Sequence, residues 1–241
     1  MVFAAVFATS FVIVVGFLLV SPLFFMGLNV DAKQQIMLSF SVLESDDCVA
    51  WCSNLSSALK AYDVGATVFF AGDVAEQFPE CVSLFSGNVD IGSQAFSSSN
   101  LTTIGDYSAQ LEEVRRGKSS VDAAGDLYSR VFRAPNGATD QNIYSLLSRN
   151  DILADFSYSD QYNVYKEGQF VRFDAVVFDG AAVSASSILA LEKTSQLVIV
   201  HFDSGCSIDV IADSIGALKT GEFDFVNASE VTGLNLTVRG D

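Results

Sequence analysis

Short apolar runs alternate with stretches of helical period along most of this chain. Ile36 to Val42 is apolar apart from Ser39 and Ser41 and predicts a buried strand, while Val49, Cys52, Leu55, Leu59 and Tyr62 recur at helical spacing and predict a helix behind it. Gly65 to Ala71 predicts a second strand. Asp73-Val-Ala-Glu76 reads as a capping-box start for the next helix, with Val74, Phe78, Cys81 and Leu84 on its apolar face. A short strand is expected at Val89 to Ile91, a long polar helix within Ile104 to Tyr128, and an Ala-Pro-Asn-Gly turn after Arg130 to Arg133. Asn142 to Leu147 reads as helix, Ile152 to Phe156 as extended, Gln196 to Phe202 as strand and Ile208 to Leu218 as amphipathic helix. Phe223 to Val226 is a last strand, with a short helix near Ala228. Repeated strand and helix units of this kind imply a parallel sheet covered by helices, open or closed into a barrel.

The N-terminal segment departs from this pattern. Met1 to Val30 carries no charged residue, and Val2 to Met26 supplies the roughly 20 mostly apolar residues that span a bilayer core. Residues 1–30 are therefore expected to be a transmembrane anchor, in the membrane through residues 2–28, and residues 31–241 a single domain. A cleaved signal peptide is the rival; the missing basic n-region, the length of the apolar stretch and the lack of an A-x-A-like site before Asp31 argue against it.

Composition places the domain. The chain has 13 Lys and Arg against 29 Asp and Glu, a formal net charge of -16, so its field repels nucleic acid and anionic head groups. The excess reads as a solvated acidic surface, or as a face for a cation or a basic partner. Asn54, Asn100, Asn227 and Asn235 each begin an N-x-[ST] sequon, which favours an extracellular domain outside the cytoplasm. Cys48, Cys52, Cys81 and Cys206 allow three pairings if all are oxidised. Zinc is the sharper alternative, because Cys48 and Cys52 share one helical face and His201, Asp203 and Cys206 lie close in sequence.

Leu59 to Gly72, followed by Ala75-Glu76 and Phe78-Pro79, resembles the second strand and helix unit of the NodB-homology polysaccharide deacetylases, carbohydrate esterase family 4. Other segments fall in family order. Met37 to Leu43 occupies the place of the TFDDG motif, Asp90 to Leu101 that of the H-[ST]-x-x-H segment, and Phe132-Arg-Ala-Pro-Asn-Gly137 that of R-x-P-Y. Asp155 to Tyr158, Leu197 to His201 and Phe225 to Val231 resemble the later conserved segments, so the match runs over roughly residues 34 to 233. It implies a distorted (β/α)7-type barrel, preceded here by the one transmembrane helix, with a glycan cleft at the strand ends. The family removes acetyl groups from N-acetylated sugars with a divalent ion held by one Asp and two His, a second Asp as base and a late His as acid.

In this alignment the two aspartates fall on Ser41 and Val42, and the two histidines on Gln94 and Ser98. The chain has one histidine, so no register supplies two imidazole ligands, and no cofactor is expected. Arg133, Asp155 and His201 match the orienting pair and the acid, and with Ser41 they are remnant catalytic positions. Gln94, Ser98, Arg133, Asn136 and His201 are expected to line the cleft, with Asn136 in place of an aromatic. Barrel closure, as implied by the resemblance, brings the first and last strands together and favours disulfides Cys48 with Cys206 and Cys52 with Cys81.

The leading expectation is an inactive deacetylase-like domain that binds cell-surface glycan or an envelope protein. One rival is an active metal-dependent carbohydrate N-deacetylase with a site, for zinc or a similar ion, rebuilt from Asp46 or Asp47, Asp203 and His201; the blander role of the first two is capping the helix at Cys48. Another is a structural subunit of a membrane complex, packed through Ala4, Ala5, Ala8, Gly16 and Ser21.

Overall fold

The alternation within Ile36 to Val42 is what closes this sheet. A computed structural model describes residues 33–43, 47–157, 160–181 and 197–240; the segment expected to be a transmembrane anchor, Asp46 and Tyr158 lie outside them. In β1 (Gln34–Val42), Ile36, Leu38, Phe40 and Val42 turn outward into the apolar layer beneath the helices, while Met37, Ser39 and Ser41 turn inward. The helix α1 (Cys48–Tyr62) follows, and then β2 (Ala66–Phe70), α2 (Gly72–Gln77), α3 (Pro79–Ser83) and β3 (Val89–Ser93). A 3-10 turn and α4 (Tyr107–Gly125) lead to β4 (Leu127–Ser129) and β5 (Val131–Phe132). Next come α5 (Gln141–Arg149), β6 (Ala154–Asp155), β7 (Gln161–Lys166), β8 (Gln169–Asp179), β9 (Leu197–Asp203), α6 (Ile208–Lys219), β10 (Phe223–Phe225), α7 (Ala228–Thr232) and β11 (Thr237–Arg239).

The ring runs β1-β2-β3-β5-β6-β7-β8-β9 and closes by parallel pairing of β9 with β1. It therefore has eight strands where seven were expected. The extra strand comes from the hairpin β7 and β8, whose antiparallel pairing turns at Glu167 and Gly168, both at positive φ (49° and 91°). Two such residues make the turn that matches strand twist. β10 adds to the start of β1, and β4 pairs with β11 outside the ring.

The floor of the barrel is plugged by α7. Thr67 Oγ1 accepts from the Ala228 amide, and the inward Asp90 accepts from both the amide and the hydroxyl of Ser229. Burial lifts the Asp90 carboxyl above its ordinary value, against these hydrogen bonds. Asn227 caps α7 in a full capping box with Glu230, and its Nδ2 donates to Asn88 at 2.7 Å. This buried cap corrects the sequon reading at Asn227, whose amide nitrogen is committed inside the fold; Asn54 and Asn235 are exposed. Asn227→Ala is expected to cost about 1 to 2 kcal/mol in chemical denaturation, the range for a lost N-cap, with no change in glycan mass at that site.

Several local expectations need revision. The capping box at Asp73 does not form, since α2 already begins at Gly72 with Asp73 inside its first turn, and Glu76 is drawn off to Arg116 and Ser120. Pro79 divides the expected helix into α2 and α3. Val49 faces solvent, and Asp47 occupies the N-cap position of α1 without a side-chain cap bond.

The cysteine pairing is also different. All four are free thiols: Cys48, Cys52 and Cys81 gather their sulfurs within 4.8 Å of one another. The closure of β9 on β1 does bring Cys206 to α1, where its carbonyl accepts from Trp51 Nε1 at 2.9 Å, yet its thiol is turned toward the Ser207 carbonyl instead of Cys48. The Cys52 thiol draws Cys48 down to about 7; the same contact and burial push Cys52 up, and burial lifts Cys81 to about 12.

One close approach positions the next feature. Gly117 on α4 lies against the Ala95 backbone, where an added Cβ would stand 2.1 Å from its carbonyl carbon. Backbone cannot yield as a side chain can, so Gly117→Ala is expected to destabilise by at least the roughly 1 to 3 kcal/mol of ordinary overpacking. The check is a lowered denaturation midpoint with unchanged slope.

Candidate functional site at the barrel mouth

Inward positions near the strand ends carry a row of polar side chains. The register of β1 on β9 sets Ser39 beside His201 and Ser41 beside Asp203. Ser39 Oγ lies 3.1 Å from His201 Nδ1. Gln94, just past β3, donates from Nε2 to Ser41 Oγ at 2.7 Å. The segment after Gln94 is held by α4, where Glu113 accepts from the amide and the hydroxyl of Ser97.

Arg133 follows β5 and Asp155 ends β6, so their pairing in the ring brings the two together. Arg133 is 1 % exposed and donates from Nη1 to the Phe156 carbonyl at 2.8 Å. Asp155 Oδ1 accepts from the Ser157 amide at 3.1 Å and from its hydroxyl. Burial pushes the Asp155 carboxyl up to about 6, opposed by Ser157 and by the Arg133 charge. His201 is held well below its ordinary value by burial and then by Arg133, so its imidazole is neutral at pH 7. Burial, then the Asp155 charge, raises the Tyr144 phenol on α5.

The structure thus brings together Ser41 with Gln94, and Arg133 with Asp155 and His201. Ser98 and Asn136 meet at the rim instead, where Asn136 Nδ2 donates to the Ser98 carbonyl at 3.4 Å. Asn136 sits at φ 55°, in the turn that the Ala-Pro-Asn-Gly sequence marks. Val42 does not belong to the mouth, because strand alternation turns it outward. Sequence reasoning missed Ser39, Ser157 and Tyr144. The signal for Ser39 was available, since it shares inward parity with Ser41.

These residues do not fit a divalent ion. The donors nearest the family's ligand positions are a hydroxyl and an amide already bonded to each other, Ser41 and Gln94, each 2 % exposed. A rebuilt site from Asp47, Asp203 and His201 is not assembled either. Among the described residues, the set of His, Cys, Asp and Glu donors lying within 4.8 Å of one another is the three-cysteine group. Asp203 is engaged with the Gly205 amide, and Asp46 lies outside the described residues.

The eight-stranded α/β barrel has counterparts of the same fold among deacetylases. The polysaccharide deacetylase family model matches residues 29–154, and the chain belongs to that family. The peptidoglycan deacetylase PdaC from Bacillus subtilis shares the fold at TM-score 0.61 and 15 % identity, over 84 % of this chain and 91 % of that one. A CE4 family pseudoenzyme from Bacillus anthracis matches at TM-score 0.62 and 14 % identity, over 83 % and 65 %. A polysaccharide deacetylase-like protein from Mycobacterium smegmatis, described as putative, matches at 0.66 and 13 %, over 88 % and 96 %. No curated protein sequence matches the chain. Among the described residues no helix is long and apolar enough to cross a membrane.

Proposed function

We propose that this chain is a non-catalytic polysaccharide deacetylase-like protein, anchored by residues 2–28 with its domain outside the cytoplasm, that binds N-acetylated glycan at the barrel rim. The observation that carries this reading is the buried Ser41 to Gln94 hydrogen bond, a neutral and closed pair where the family's chemistry needs an open cation site. A bound ion there would find the neutral Gln94 Oε1 and gain no charged ligand from this pair. The neutral His201, with Nδ1 against Ser39, is sealed beneath it. That a CE4 family pseudoenzyme shares this fold supports the same reading. Asn136 and Asp203 are accessible polar groups of the rim and offer hydrogen bonds to sugar hydroxyls or an acetamido group.

The test is acetate release from N-acetylated glucosamine oligomers by the full chain in detergent, with zinc, cobalt or manganese supplied, alongside calorimetric binding of the same oligomers. Binding without acetate above the buffer rate is expected, weakened about tenfold by Asn136→Ala, the cost of roughly one hydrogen bond. Acetate release that a chelator stops would overturn the reading in favour of an active hydrolase.

A further inference from the structure

The chain carries a second cluster of chemically capable side chains, behind the barrel wall and unconnected to the mouth. Cys48 and Cys52 stand four residues apart on α1, so one helical face presents both thiols, and α3 supplies Cys81 against them. The Cys48 and Cys52 sulfurs are 4.0 Å apart, and all three lie within 4.8 Å. The three residues are buried, in the outer apolar layer that also holds Trp51, Leu55 and Phe85. Ser41 and the mouth lie on the opposite face of β1 from this layer.

We propose that Cys48, Cys52 and Cys81 form a three-thiolate site for monovalent copper. Three metal-sulfur bonds of about 2.3 Å in a plane space their sulfurs about 4 Å apart, close to the observed separation. A disulfide would require two sulfurs to close to about 2.05 Å, a movement of roughly 2 Å even for Cys48 and Cys52 at 4.0 Å, whereas an ion at the centre needs only small rotamer changes. The donor set is purely soft, and the described residues add no fourth carboxylate or imidazole to it. Zinc in a structural site asks for four ligands; soft thiolates in low number select copper in its reduced state. The positive end of α1, a helix of 15 residues that begins at Cys48, offsets part of the thiolate charge.

The test uses the full chain in detergent, reduced and free of oxygen, titrated with Cu(I) against a bicinchoninate competitor. One copper per chain is expected to leave the competitor, with X-ray absorption showing three sulfurs at about 2.3 Å. Cys52→Ser and Cys81→Ser should each weaken binding by at least the roughly 100-fold that loss of even an outer-shell partner can cause. Cys206→Ser, outside the cluster, should leave it unchanged. Retention of copper by the competitor would overturn the proposal without reference to any variant, and so would a sulfur count of two or four, or tighter binding of zinc. None of these outcomes bears on acetate release or glycan binding at the mouth.

Discussion

Replacing Arg133 with methionine is expected to destabilise the domain by about 3 to 5 kcal/mol, the range for breaking a buried charge arrangement by removing one partner. Methionine keeps much of the apolar volume, so the loss isolates the charge and its hydrogen bonds. The Phe156 carbonyl loses the Nη1 donor that reaches it at 2.8 Å, and Asp155 loses the positive charge that partly offsets its burial. The second consequence is what separates this from a packing defect. With Asp155 also changed to Asn, the arginine's removal no longer strands a buried carboxylate, so the double variant should be more stable than the sum of the two single changes gives, by about 0.5 to 3 kcal/mol. Urea denaturation of the full chain in detergent measures all four corners of the cycle. Additive losses would mean that Arg133 acts through packing and the Phe156 carbonyl alone.

Asp155→Asn by itself should change how stability depends on pH. The folded-state carboxyl is pushed up to about 6, so it holds its proton more tightly folded than unfolded. The stability this contributes is full below about pH 4 and is lost as pH rises through about 6, amounting to about 3 kcal/mol across the window. Relative to the parent, Asp155→Asn should therefore gain up to about 3 kcal/mol between pH 4 and pH 8. His201 pulls the other way. Its folded-state value is depressed, so the stability of the neutral form is present above about pH 6.5 and falls as the unfolded imidazole takes up a proton below that. His201→Gln should flatten that acid limb and leave the Asp155 limb in place. Stability profiles for the parent and Asp155→Asn that stay parallel from pH 4 to pH 8 would show that Asp155 keeps an ordinary carboxyl in the fold.

These two groups meet because of ring closure, and that shows where sequence reasoning stops. Arg133 and Asp155 are 22 positions apart and join through the short pairing of β5 with β6, while His201 arrives from the far side of the ring. Their recovery from the sequence rested on family order, because neither period nor spacing puts them in one place. The hairpin β7 and β8 went unread although Glu167 and Gly168 mark its turn, since partly exposed strands with charged residues lack a clean apolar alternation. Barrel topology brings the cysteine-bearing elements near one another, but which thiol faces which depends on side-chain direction.

What the sequence determined by itself was local and compositional. Apolar periods located most strands and helices, the acidic excess set the character of the surface, and a single histidine ruled out the family's two-imidazole ion site in any register. Tertiary structure alone decided that eight strands close the ring, that Val42 turns away from the mouth while Ser41 is capped by Gln94, and that three thiols converge behind the wall. The physical reason is common to all three. Periodicity fixes which face of its own element a residue occupies, whereas closure and register between distant elements fix what stands opposite that face, and chemistry needs both.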